Sequence, residues 1–193
     1  MLFYKVIKGS AKLLLSLIYR IEIEGKEYIP KEGRSIVSSN HFSLMDPIVI
    51  AAFLPRKVNY MAKEELFSNR IFASFLNKIG VFPVKRDGAD IGAIRTALKI
   101  LGNGEVFGIF PEGTRSKPGE ILKAKPGSAM IAIRSQSPVI PVAVMGNYKP
   151  FSKVKIVIGE PMDLSNYYGK KIRTDEYQRL SQEVLDTIRE LIV

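Results

Sequence analysis

The sequence contains no cysteine and only one histidine, His41. Without cysteine there is no disulfide framework, no thiolate metal site and no cysteine nucleophile. A cysteine-free chain fits a cytosolic setting. A neutral-pH base of imidazole type has a single candidate. Long apolar runs are missing too. A spanning helix needs about 20 mostly apolar residues. In Met1 to Ile21, Lys5, Lys8 and Lys12 interrupt, and the cleanest run, Leu13 to Tyr19, contains Ser16. No small-x-small cleavage site follows it, so a secretory leader fits poorly. Acidic residues are in deficit: Lys+Arg is 29 against 19 Asp+Glu, a net charge of +10. Such a surplus points to an anionic partner: nucleic acid, a membrane surface or a phosphorylated substrate. Also absent are a G-x-S-x-G elbow, a P-loop, a dinucleotide fingerprint and metal-ligand spacing. Ser38, Ser39 and Ser43 lie near His41 but lack the strand-turn-helix context of a hydrolase nucleophile.

The chain has 193 residues, 46% apolar and 25% charged. That is ordinary globular composition, long enough for a core, and it excludes wholesale disorder. No repeat, low-complexity segment or long linker divides it. Short strands are expected at Arg34 to Asn40, Val58 to Ala62, Gly80 to Val84, Glu105 to Phe110, Pro138 to Met145 and Val154 to Ile158. Helical periods fall at Leu66 to Ile79, Asp87 to Leu101 and Pro126 to Ser135, with a last helix capped by Thr174. Alternation of this kind predicts an α/β domain with a largely parallel sheet and flanking helices.

The amino terminus carries lysines at spacings of three and four, on one helical face. Leu2, Phe3, Val6, Ile7, Leu14, Leu17 and Ile18 fill much of the rest. The pattern is that of a helix lying in the headgroup plane; the commoner use of it is a helix packed on its own domain. The favoured division is an interfacial anchoring helix over residues 1–21 and a domain over residues 22–193.

Chemistry concentrates at predicted strand ends, where ligands gather in open α/β sheets. His41 and Asp46 would face apart on a continuous helix, rotated by about 140°. They meet only if the chain bends, and Asp46-Pro47 supplies a helix start, with Asp46 as N-cap and Pro47 as first helical residue. A carboxylate on one ring nitrogen leaves the other as a base toward a hydroxyl. Lys85, Arg86 and Arg115 are either solvated surface charges or a phosphate clamp. In Phe110-Pro111-Glu112-Gly113-Thr114-Arg115-Ser116, a buried strand runs into proline, acid, glycine, hydroxyl and base. Gly113 permits a tight turn and close approach of a ligand. Glu112 is suited to orienting a substrate hydroxyl or bracing an arginine. Val139 to Val142 reads as core strand.

On these residues the chain resembles the glycerolipid acyltransferases, and among them the bacterial 1-acylglycerol-3-phosphate acyltransferases. Asn40, His41 and Asp46 match the N-H-x4-D motif. Gly80 to Arg86 resembles the second motif, Phe110 to Ser116 matches F-P-E-G-T-R-S in full, and Val139 to Val142 the V-I-P-V segment. The resemblance spans about Arg34 to Val142, in the family's order. It implies that His41 is the general base on the 2-hydroxyl of a lysophosphatidate and that Asp46 supports it. It implies an acyl carrier protein or coenzyme A thioester as donor, with phosphatidate as product. Arg86 and Arg115 would hold the phosphate, helped by Lys85 and the Gly113 backbone. Thr114 would belong to the same binding loop, and Glu112 would touch the glycerol. No metal or redox cofactor is implied. The expected location is the cytoplasmic face of the membrane, peripheral or monotopic, on an anionic surface. Competing readings are another lysolipid acceptor, a non-enzymatic binder of anionic lipids and, from charge alone, a nucleic-acid binder. No nucleic-acid motif accompanies the charge.

Overall fold

A computed structural model describes residues 2–85, 90–117 and 122–192. One seven-stranded sheet organises the described residues. Helix α1 (Leu2–Ile18) leads into strand β1 (Arg20–Glu24). Then follow β2 (Ser35–Ser39), α2 (Asp46–Phe53), β3 (Val58–Lys63), α3 (Arg70–Ile79), β4 (Val81–Val84), α4 (Ile91–Gly102) and β5 (Val106–Ile109). The chain continues through α5 (Gly127–Ser135), β6 (Val139–Gly146), β7 (Lys153–Ile158) and α6 (Thr174–Glu190). Strand order is β1-β7-β6-β2-β5-β3-β4. Every pairing is parallel except β6 with β7.

Burial explains this arrangement. Strand β2 is buried at all five positions, as a central parallel strand covered on both faces must be. Alternation then sorts its side chains: Val37 joins a core with Val49 and Ile50 of α2 and Leu15 of α1. Ile36 joins the opposite core with Ala97, Leu101, Ile131, Leu180 and Leu185 from α4, α5 and α6. The α/β expectation is met. The V-I-P-V segment is the start of β6, all four residues buried, so the core-strand reading stands.

Four boundaries differ from the sequence expectation, the smallest at the last helix, where Thr174 is the first helical residue and Arg173 occupies the cap position. The amino-terminal helix stops at Ile18, and Arg20–Glu24, expected partly as helix, pairs with β7. The alternation in Arg-Ile-Glu-Ile-Glu suits an edge strand, and Lys153 and Lys155 pair with Glu22 and Glu24 across it at 2.6 and 2.8 Å. The helix expected from Leu66 to Ile79 is broken: Glu64–Phe67 forms a 3₁₀ turn, and α3 begins after Asn69. The Asn69 side chain takes the Ile71 and Phe72 N–H groups, so it starts a new helix there. The helical period expected from Asp87 appears as α4 from Ile91, with Asp90 as its cap accepting the Ala93 N–H; Asp87 lies outside the described residues.

Helix α1 lies along α2 with Lys8 and Lys12 at the junction. The Lys8 ammonium donates to the carbonyl of Leu54, the C-cap of α2, and Lys12 stands over the Phe53 ring. A cation suits that negative end of the helix dipole. The outward face is apolar: Leu2, Leu13, Leu14 and Leu17 are all more than half exposed.

Candidate active site

The carboxyl ends of β2, β5, β3, β4 and β6 all reach one edge of the sheet. At β2 the chain continues into Asn40, whose amide bonds to both backbone groups of Val144. Nδ2 donates to the carbonyl at 2.9 Å and Oδ1 accepts the N–H at 2.8 Å. This side chain extends the β2–β6 ladder by one rung and fixes where His41 leaves the sheet.

Residues 41–45 then wrap around the Asp46 carboxylate. Asp46 is fully buried. Its Oδ2 accepts from His41 Nδ1 at 2.9 Å, from the Phe42 N–H at 2.8 Å and from the Ser43 N–H at 2.7 Å. Its Oδ1 accepts the Tyr148 hydroxyl at 2.8 Å. The bend expected between the two motif residues is present, but Asp46 is not the N-cap. It is the first residue of α2, Met45 occupies the cap position, and the carboxylate reaches back to the loop instead of forward into the helix. Those backward bonds set the four-residue spacing, since a shorter loop could not present both N–H groups and the imidazole to one oxygen. With Nδ1–H donating to Asp46, the other ring nitrogen, Nε2, is the one with base character. The side chain keeps 11% exposure, so a reactant can reach it.

The loop after β5 closes on the peptide of His41. Glu112, 1% exposed, accepts the His41 N–H through Oε1 at 3.0 Å and the Leu122 N–H through Oε2 at 2.9 Å. Ser116 grips the His41 carbonyl twice, with its N–H at 2.8 Å and its hydroxyl at 3.0 Å. Phe110 stacks on the imidazole, ring centroids 4.0 Å apart and planes 20° apart, and Tyr60 stacks on the far side of Phe110. Glycine at position 108 makes room for this stack. A Cβ there would fall 2.1 Å from the Tyr60 ring.

Thr114 and Arg115 are exposed on the same loop, beside Gly113, which sits at φ 69°. Lys85 follows β4 at the same edge, exposed, with its ammonium 4.0 Å from Glu64. It lies three strands from β2, roughly 14 Å away at the usual spacing. Arg86 lies outside the described residues. Thus His41, Asp46 and Glu112 are joined directly, Gly113, Thr114 and Arg115 follow Glu112 on the same loop, and Lys85 lies at the same edge three strands away. Two further cations share this edge and were not expected. Lys63 ends β3, one strand nearer than Lys85, and the Lys125 side chain lies over Gly113. Ser116, Phe110, Tyr60 and Tyr148 were also missed as site residues. Only Phe110 and Ser116 carried a signal, as the ends of the F-P-E-G-T-R-S segment.

A family model described as Acyltransferase matches residues 20–145, well over half the chain. The chain belongs to the acyltransferase family. It is therefore an acyltransferase, and the match takes in all the motifs discussed above. A curated relative from Bacillus subtilis, named 1-acyl-sn-glycerol-3-phosphate acyltransferase, is 35% identical over 173 residues, covering 85% of this chain and 84% of its own. A relative of the same name from Streptococcus pneumoniae is 28% identical over 97% of this chain and 69% of its own. Among solved structures, the 1-acyl-sn-glycerophosphate acyltransferase of Thermotoga maritima superimposes with a TM-score of 0.78 at 31% identity, over 98% of this chain and 80% of that one.

Proposed function

We propose that this acyltransferase moves an acyl chain from a thioester of acyl carrier protein or coenzyme A to the 2-hydroxyl of 1-acylglycerol-3-phosphate, forming phosphatidate. One observation carries the reading: a single buried dyad, His41 Nδ1 to Asp46 Oδ2 at 2.9 Å, opens onto a sheet edge bordered by cations. The names of the relatives support the acceptor.

In this reading His41 Nε2 takes the proton of the 2-hydroxyl as that oxygen attacks the thioester carbonyl carbon. Asp46 stabilises the imidazolium that forms. The C–S bond breaks, and the thiolate leaves with the proton returned from His41. Both substrates meet in one complex, so positioning supplies a large share of the rate. Arg115, Lys85 and Arg86 hold the phosphate, with Lys63, Lys125, Thr114 and the Gly113 backbone beside them. The scheme calls on no metal and no redox cofactor.

Association with an anionic membrane surface belongs to the same proposal. No helix among the described residues is long and apolar enough to cross a membrane. What supports peripheral binding is the outward apolar face of α1, continued by Phe72 (45% exposed) and Ile71 (84%) on neighbouring α3. Arg70 and Lys78 border a groove of about 410 Å³ between the two helices, placed for lipid phosphates.

The test is thioester-dependent acyl transfer by purified protein in mixed micelles, with lysophosphatidate and lysophosphatidylcholine as acceptors. Wild type should acylate the phosphomonoester and His41→Ala should be inactive. Equal use of both acceptors would remove the phosphate roles. Full activity in His41→Ala would remove the mechanism.

A further inference from the structure

The loop from β6 to β7 holds two of the three non-glycine residues with positive φ among the described residues, Tyr148 at 50° and Phe151 at 62°. Side chains disfavour that region, and such conformations persist where the surroundings over-determine them. Here the surroundings are specific. The Phe151 N–H donates to the Ile18 carbonyl at 2.6 Å, and the Arg20 N–H donates to the Ser152 carbonyl at 2.9 Å. The loop is thereby fastened to the junction of α1 and β1. The Tyr148 ring packs edge-on against Tyr19, 5.6 Å between centroids, and tilted against Phe42, also 5.6 Å. Its hydroxyl meets Asp46 Oδ1.

We propose that Tyr148 is a positioning residue for acyl transfer, its hydroxyl fixing the plane of the Asp46 carboxylate that orients His41. The reasoning is geometric. Oδ2 collects three N–H donors from one side, all within residues 41–43. These bonds hold one oxygen but leave the other, in a fully buried carboxylate, in need of a donor of its own. A donor on Oδ1, from the β6–β7 loop 102 residues away in sequence, supplies it and adds a second, independent anchor to the carboxylate plane. Burial, and after it the adjacent Asp46 charge, push the Tyr148 hydroxyl up, so it stays protonated and keeps donating at every working pH. The contact also shares the carboxylate's charge. The groups that face the dyad are Glu112 on the His41 N–H, Tyr60, and Tyr148 backed by Tyr19.

The kinetic part rests on the acyltransferase reading above; the contact itself does not. Because His41 is the only histidine, NMR of the labelled protein follows one imidazole without ambiguity. Tyr148→Phe keeps the ring packing and deletes the donor. Asp46 then leans harder on the imidazole and favours its charged form. The His41 midpoint should rise by about half a unit or more. The acid limb of the pH–rate profile should move with it. The kcat should fall about tenfold while both KM values stay within about twofold. An unchanged midpoint with unchanged kcat overturns the proposal. So does a raised midpoint with unchanged kcat, since the contact would then be real and unused. Should wild type transfer no acyl group, the functional reading falls while the midpoint still decides the contact. Should Tyr148→Phe not fold, the wild-type Tyr148 hydroxyl proton must appear as a slowly exchanging resonance, and its absence overturns the proposal.

Discussion

Glu112 holds the backbone N–H of His41 on Oε1, 3.0 Å away, from a carboxylate that is 1% exposed. Its other oxygen is taken by the Leu122 N–H. This geometry lets Glu112 brace the peptide that carries the base, whereas the glycerol contact implied by resemblance needs a carboxylate oxygen that also reaches the substrate.

The two tasks give different results on substitution. In Glu112→Gln one backbone N–H keeps an acceptor and the other faces an amide NH2. A buried group left unpaired costs about 1–3 kcal/mol. The expected outcome is that much loss of stability in chemical denaturation, with kcat down roughly tenfold and the acceptor KM within about twofold. A rise in acceptor KM at unchanged stability would restore the substrate-contact role.

The aromatic stack makes a second prediction. Tyr60 is 6% exposed and lies over Gly108, with Phe110 between it and His41. Gly108→Ala forces the Tyr60 ring aside, and overpacking of this kind costs about 1–3 kcal/mol. For a chain of this length that lowers the melting midpoint by roughly 2–12 °C. Activity should fall further than stability alone explains, because the displaced ring presses on Phe110 and so tilts the imidazole. Gly108→Ala combined with Tyr60→Leu should lose less than the sum of the single changes. Strict additivity would mean that the two positions do not meet.

What the sequence made legible was local. The N-H-x4-D spacing required a bend between His41 and Asp46, and the bend is there. The alternation of strands and helices required a largely parallel sheet, and five of its six strand pairings are parallel, β6 with β7 being antiparallel. Asp46 was misplaced by one helical position because Asp-Pro is an ordinary cap signal, and only the folded loop shows the carboxylate reaching backward. The long-range partners were out of reach. Asn40 meets Val144 across 104 residues and Tyr148 meets Asp46 across 102. Neither contact leaves a periodic or local trace, because each arises only when β6 is laid beside β2. Strand β1 is a different case: its alternation was readable, but five residues beside a helical run gave a weaker pattern than the helix itself.

Helix α1 supplies the last prediction. Leu14 is 58% exposed and Leu17 66%, whereas Leu15 is buried at 5%. The helix therefore spends one leucine on its own domain and turns the others outward, while Lys8 and Lys12 occupy the flank against α2. A helix stabilising only its own fold has the opposite orientation, with its apolar stripe inward. Leu14→Glu and Leu17→Glu should leave the melting midpoint within a degree or two, because neither side chain is in the core. Each should weaken binding to anionic vesicles by about tenfold or more, the loss expected when an apolar side chain can no longer leave water. Leu15→Ala should do the reverse, costing about 2–4 kcal/mol of stability with vesicle affinity little changed in the folded fraction. Co-sedimentation at low and high salt separates the contributions. Apolar insertion persists as salt rises, and attraction between exposed charges is screened. Wild-type affinity in both variants would show that the exposed leucines face something other than lipid.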